Sequence, residues 1–400
     1  MLSVTEALSH ILSHSHPLPA ETVPLTRAVG RILREDIQAD RDFPPFDRVT
    51  MDGIAIRYEA FASGQRTFPI AGTQFAGQPL FSLTSANECL EVMTGAVLPD
   101  GTDTVIRYED LTTENGMATI TIEEISVGQN VHRQATDRQA GEVLLTTGTR
   151  LRPTEIAVLA SVGKPTVAVS ARPRVALIST GDELVGVDEM PLPHQIRGSN
   201  TYMLQAALLT LGIETSLNHL PDDQEKMTRG LSSILAENDL LILSGGVSAG
   251  MADFVPAVMM ALGVRERFHK IAQRPGKPLW FGTTDTGKVV FGLPGNPVST
   301  TMCLFRYLLP FLNASMKGQP ESTRYATLAE QVLFKPALTY FLPVRLTSQP
   351  DGSQLAYPLP GSGSGDYANL IDANGFMELP ADQSEFAAGE VYPVLLFGEI

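Results

Sequence analysis

Cysteine is nearly absent from this chain of 400 residues: Cys89 and Cys303 stand far apart, with no second Cys or His at metal-ligand spacing. That excludes a disulfide framework and a zinc knuckle, and a reducing cytoplasm is the expected compartment. Tryptophan occurs once, at Trp280. Basic residues are in deficit, 29 Lys and Arg against 44 Asp and Glu for a net charge of −15, which argues against a general nucleic-acid-binding role. Long apolar runs are missing as well. The best candidate, Leu304 to Leu312, is short and interrupted by Arg306 and Pro310, so no segment reads as a membrane span. The N-terminus, Met1 to Leu8, lacks the basic flank and apolar stretch of a signal peptide.

What remains is a globular composition, 43% hydrophobic and 18% charged, in a chain too long for one ordinary core. Residues 3–13 read as an amphipathic helix, and a short helix is expected around Arg27 to Glu35. From Asp52 to about His132 short alternating segments punctuated by Gly, Pro and Asn predict a β-rich domain. Residues 153–162 read as a helix with Pro at its start and Gly163 at its stop. From Arg174, apolar strands alternate with helices of helix-length period, which predicts a parallel sheet covered on both faces. After about Gly318 the chain returns to β character. Gly361-Ser-Gly-Ser-Gly365 reads as a linker or a ligand-facing loop.

Three loops stand out: Ser244-Gly-Gly-Val-Ser-Ala-Gly250, Arg274-Pro-Gly-Lys-Pro278 and Gly292-Leu-Pro-Gly-Asn-Pro-Val-Ser299. The first and third follow apolar strands, and such turns present backbone N–H groups and hydroxyls to oxyanions. Arg265, Arg267, Lys270, Arg274 and Lys277 make a basic island among them, against Glu266 alone. Ser179-Thr-Gly-Asp-Glu183, Asp222-Asp223 and Asp253 bring acids to successive strand ends. They can bind a divalent cation or orient water, or cap the next helix.

Gly246-Val-Ser-Ala-Gly250 also matches the nucleophile elbow of serine hydrolases. The only histidine after Ser248 is His269, too close in sequence for the acid and base to come from separate later strands, and the hydrolase reading is set aside. His10, His14 and His16 read as residues of an exposed terminal helix. Trp280 could stack on a planar ring, but one aromatic beside a strand is usually core.

Taken together, these loops resemble the molybdopterin molybdenumtransferases, the bacterial MoeA family related to the E domain of gephyrin. The matching segments are Met51-Asp52-Gly53, Met93-Thr-Gly-Ala96, Pro173 to Leu184, Ser244 to Ser248, Pro275-Gly-Lys-Pro278, Gly292 to Ser299 and Ala373-Asn-Gly375. The chain departs from the usual pattern at Arg48-Val-Thr50, where the family commonly has Asn-Ser-Ala. It departs again at Ala135-Thr-Asp137, in place of Gly-Glu-Asp, and at Gly198, where an acid is usual.

The resemblance implies a multidomain α/β plus β fold. A helical domain would come from residues 1–44 and 140–172, a β-rich insertion from 45–139, a three-layer α/β molybdopterin-binding domain from 173–318 and a small β-barrel from 319–400. It implies a homodimer that inserts molybdate into adenylylated molybdopterin with Mg²⁺ and releases AMP. Partners would be molybdopterin adenylyltransferase and apo-molybdoenzymes. The substrate would be held by Thr180, Gly181, Ser244, Gly245, Gly246, Ser248, Lys270, Arg274, Lys277, Pro294, Gly295, Asn296 and Pro297. Glu183, Asp222 and Asp253 would hold the metal or position water. Asp52, Thr94 and Asp137 would line an opposite catalytic wall. A second reading keeps the binding without the turnover, as a carrier or scaffold.

Overall fold

The computed structural model describes residues 1–247, 254–359 and 367–398. Two of the residues expected at the site, Ser248 and Asp253, lie outside them, as does Gly361–Gly365. The backbone packs as two compact units: 1–35 with 147–153 and 166–400, and 36–146 with 154–165.

The first unit holds a six-stranded sheet. Its strands are β1 (Val175–Thr180), β2 (Thr215–Leu220), β3 (Leu240–Ser244), β4 (Arg265–His269), β5 (Trp280–Thr283) and β6 (Val289–Leu293). Its helices are α1 (Asn200–Thr210), α2 (Gln224–Glu237), α3 (Val255–Ala261) and α4 (Pro297–Cys303). The spatial order is β2-β1-β3-β6-β5-β4, and β2, β1, β3 and β6 are parallel. The wholly parallel sheet expected from sequence is corrected at one edge, where β5 and β4 are antiparallel. The link from Thr283 to Val289 is too short for a crossover helix, so the strands it joins form a hairpin. Outermost β4 exposes Arg265, Glu266 and Arg267, charges that discourage an open edge from pairing with another chain.

Apolar residues fill both faces of the parallel strands, as burial between helices requires. Val175, Leu177, Leu240, Ile242, Val289 and Phe291 pack with Leu204 and Leu208 of α1 and Met302 of α4. Their neighbours Ala176, Ile178, Leu241, Leu243 and Val290 pack with Met227 and Leu231 of α2 and Val258 and Met259 of α3. The helix Val4–Ser13 adds Val4, Ala7 and Ile11 to the first of these cores. It starts with a capping box between Ser3 and Glu6.

The helix expected around Arg27 to Glu35 is not formed; only a 3₁₀ turn, Leu25–Arg27, is present. Gly30 takes φ +78, and the following residues form isolated bridges to distant segments, Ile32 to Arg150 and Leu33 to Val169. Those tertiary pairings override the local helical preference. Conversely, α4 runs through a π-helical segment, Leu304–Leu308, into a further helix, Leu309–Ser315. Pro310 removes one backbone donor and crowds the carbonyl a turn earlier, and the wider π turn accommodates it. No helix among the described residues is long and apolar enough to cross a membrane.

At the C-terminal end, Arg324–Leu328, Thr339–Ser348, Gln354–Pro358, Gly375–Leu379 and Val391–Leu396 close into a barrel around Leu328, Val344, Ala356, Met377 and Phe386. The expected small barrel is therefore present.

The second unit is built on another six-stranded sheet, containing Gly53–Ile56, Thr67–Gln74, Cys89–Val92, Thr104–Arg107, Leu111–Glu114 and Met117–Ile120. Its core is Ile54, Ile56, Phe61, Phe68, Cys89, Ile106 and Ile120. This is the β-rich insertion the short alternating segments predict.

Candidate active site

Four parallel strands ending side by side place their following loops along one edge of the sheet. A cleft of about 300 Å³ opens there, lined by Thr180, Gly181, Glu183, Asp222, Gly245, Gly246, Val247, Pro278, Pro294, Gly295 and Asn296. Ligands of open α/β sheets bind at such carboxyl ends. A slightly larger hollow, about 340 Å³, lies between the N-terminal helix and the helix around Leu309. Leu8, Leu12, Leu211 and Met316 contribute to it, and it lacks the convergence of glycines and carboxylates that marks the strand-end cleft.

The floor of the cleft depends on absent side chains. Gly246 has φ +67, and a Cβ there would fall 2.9 Å from Thr180 Oγ1 and 2.8 Å from Val255 Cγ2. Gly181 has φ +127, and its Cβ would fall 2.3 Å from a Glu183 carboxylate oxygen. Glu183 is thereby folded back over the turn that ends β1. Gly245 does not offer a free N–H, since it donates to the Leu293 carbonyl at 3.1 Å. Ser244 is buried and accepts from Asn200 Nδ2 at 2.8 Å.

The two aspartates after β2 separate. Asp222 lines the cleft, and its N–H donates to Asp182 Oδ1 at 3.2 Å. Asp223 caps α2 by accepting from the Lys226 N–H at 2.9 Å. Among the described residues no group of three or more His, Cys, Asp or Glu is placed to hold a metal. Glu183 and Asp222 do share the cleft, and the third member of the expected set, Asp253, is outside the described residues.

The basic island divides. Arg265 pairs with Asp285 and Arg267 donates to Thr283. Arg274 and Lys277 are exposed and Lys270 half-buried; Pro278, beside Lys277, reaches the cleft. Pro297 opens α4. His269 Nε2 lies 2.9 Å from the Val247 carbonyl oxygen. Trp280 is wholly buried and donates to Glu266, so it is core and not a stacking platform for a ligand.

In the second unit, Asp52 and Thr94 are joined by hydrogen bonds. Asp52 Oδ1 accepts from the Thr94 N–H at 2.7 Å and its hydroxyl at 2.8 Å, and those bonds hold the Asp52 carboxyl below its usual range. Asp137 Oδ1 lies 3.1 Å from His132 Nε2, and Arg48 reaches His132 Nδ1 at 3.1 Å. Arginine only donates, so Nδ1 accepts and Nε2 carries the hydrogen given to Asp137. Ala135 sits at φ +61, a left-handed conformation that glycine prefers.

Sequence reasoning missed Asn200 as a site residue, because a polar residue at a helix start has an ordinary explanation. It also missed His132, whose partners are distant in sequence.

A glycine-floored cleft with two carboxylates at parallel strand ends is the architecture of α/β domains that hold phosphorylated ligands. Comparison with known proteins narrows that class. Successive family models match: the MoeA N-terminal region (domain I and II) over residues 2–163, a probable molybdopterin binding domain over 176–314, and the MoeA C-terminal region (domain IV) over 325–397. The molybdopterin molybdenumtransferase of Synechocystis sp. is 41% identical over 396 residues, 98% of this chain and 99% of that one. Its counterpart in Bacillus subtilis is 31% identical over 411 residues, 100% of this chain and 94% of that one. The solved molybdopterin biosynthesis MoeA protein of Pyrococcus horikoshii superposes with a TM-score of 0.84 at 28% identity, over 99% of this chain and 100% of that one. A second structure under that name gives 0.81 at 32% identity over the whole of both chains. The chain belongs to the MoeA family of molybdopterin molybdenumtransferases.

Proposed function

We propose that this chain performs the metal-insertion step of molybdenum cofactor biosynthesis, taking molybdate and adenylylated molybdopterin as substrates and releasing AMP. The observation that carries the reading is the strand-end cleft, where Thr180, Gly181, Gly246 and Gly295 converge with Glu183 and Asp222. Glycines allow a phosphate to approach the backbone closely, and Lys270, Arg274 and Lys277 supply positive charge for it.

Mg²⁺ fits the residues present, because Glu183 and Asp222 offer the hard carboxylate oxygens it takes. Bound there, it would neutralise the phosphoanhydride and make phosphorus more electrophilic. Glu183 and Asp222 would hold it, with Asp253 as a third donor. Without the ion, two carboxylates would repel an anionic substrate, so the basic residues and the cation act on the same charge.

Asp52, Thr94 and Asp137 are the proposed catalytic residues of the second unit. The protein is further proposed to be a cytoplasmic homodimer, receiving substrate from molybdopterin adenylyltransferase and delivering product to apo-molybdoenzymes; the family resemblance supports this. The test is incubation with adenylylated molybdopterin, molybdate and Mg²⁺. AMP release above a protein-free control is expected. None would sink the proposal, and magnesium-independent release would sink the metal assignment.

A further inference from the structure

Asn200 carries no charge and begins an ordinary helix, yet it ties together the two glycine loops of the cleft. Its Nδ2 donates to Ser244 Oγ at 2.8 Å and to the Gly295 carbonyl at 2.7 Å. Both amide hydrogens are thereby used. A carbonyl oxygen only accepts, so the Gly295 contact fixes which end of the amide is nitrogen. Asn200 Oδ1 is left buried without a partner among the described residues, and so is Thr180 Oγ1. A side chain that leaves its own oxygen unsatisfied is held by what its nitrogen does, because a buried polar atom without a partner is costly.

The loops it joins already lie close. Ser244 and Leu293 are register partners on β3 and β6, and a Cβ on Gly295 would fall 3.6 Å from Gly245 Cα. Asn200 comes from a third element, α1, which follows β1. One amide on that helix therefore joins the end of β3 to the loop that follows β6.

We propose that Asn200 is a positioning residue for substrate. It sets the spacing between the Gly245–Gly246 and Pro294–Asn296 loops, and so the geometry in which the phosphorylated ligand is gripped. The inference rests on the function proposed above.

Asn200→Ala, Asn200→Asp, Ser244→Ala and the Asn200→Ala/Ser244→Ala pair, made in the full-length chain, test it. KM for adenylylated molybdopterin, kcat for AMP release and Tm are read together. Loss of two hydrogen bonds in Asn200→Ala should raise KM about ten- to thirtyfold and lower Tm by about 1–4 °C, with kcat little changed. Asn200→Asp should be at least as poor, since its carboxylate faces the Gly295 carbonyl. Ser244→Ala removes one limb, should raise KM about fivefold, and should add nothing to Asn200→Ala. An unchanged KM in either Asn200 variant, or additive losses in the pair, overturns the proposal. Should Asn200→Ala not fold, Asn200→Asp and Ser244→Ala decide by the same criteria. If the wild-type protein releases no AMP, the proposed function falls. The brace is then read from thermal unfolding: additive destabilisation by the two single substitutions overturns it and sub-additive destabilisation supports it.

Discussion

Asp222 and Asp223 are adjacent in the chain and face different tasks. Asp222 lines the strand-end cleft, whereas Asp223 accepts the Lys226 N–H at the start of α2. Hydrogen bonding to that N–H holds the Asp223 carboxyl below its usual range. Asp222→Asn should lower AMP release at least tenfold while leaving Tm within about 1 °C, as expected for a surface polar change. Asp223→Ala should do the reverse, lowering Tm by about 2–4 °C through loss of the cap, and Asp223→Asn should restore it. Calorimetry and an AMP assay on the same preparations separate the two roles. Equal effects of both substitutions on activity would contradict the assignment.

Gly246→Ala should disable the cleft. The new methyl would lie 2.9 Å from Thr180 Oγ1 and 2.8 Å from Val255 Cγ2, on a backbone at φ +67. Strain of about 1–2 kcal/mol from the left-handed conformation alone should lower Tm, and the displaced loop should cut AMP release more than tenfold. Gly30→Ala, also at positive φ but with open space around its Cβ position, is the control: it should lose stability without an equivalent loss of activity.

Ala135 offers a stabilising change. It holds φ +61 without being glycine. Ala135→Gly relieves about 1–2 kcal/mol of left-handed strain and returns about 0.4–1 kcal/mol to the unfolded chain as entropy. A net gain of about 0.5–1 kcal/mol is expected, read as a shifted denaturant midpoint at unchanged slope. A loss of stability would contradict it.

The Asp52–Thr94 pair should weaken in acid. The bonds from Thr94 lower the Asp52 carboxyl below its ordinary value of 3.8. A depressed carboxylate adds stability that is fully present above the unfolded value and disappears as pH falls through the folded one. The Tm difference between wild type and Asp52→Asn should therefore be constant above about pH 5 and shrink below about pH 4. A difference that widens towards low pH would refute the bond as the cause.

Neither thiol should react in the native protein. Cys89 and Cys303 are both buried, and burial pushes the Cys89 thiol up to about 12 and the Cys303 thiol higher. A thiolate is the reactive form, so a disulfide reagent at pH 8 should label neither cysteine until denaturant is added, and then both. Rapid labelling of the native chain would contradict their burial.

Much of the architecture was legible in particular stretches. The apolar runs Val175–Thr180 and Leu240–Ser244 could only be strands buried on both faces, and the glycine turns after them marked the ligand edge. The charged strand Arg265–His269 was harder. Its residues read as a basic island because a charged edge strand and a solvated loop share one composition. The helix expected around Arg27 to Glu35 failed because bridges to Arg150 and Val169, far along the chain, outweighed local preference.

By itself the sequence determined which residues were available for oxyanion and cation chemistry, and that they follow strands. Those facts depend on residue type and local periodicity. Only the tertiary structure decided which of two adjacent aspartates enters the cleft, that Gly245 spends its N–H on Leu293, and that Asn200 joins Ser244 to Gly295. Each of those depends on hydrogen bonds between strand ends distant in sequence, and no local pattern records their spacing.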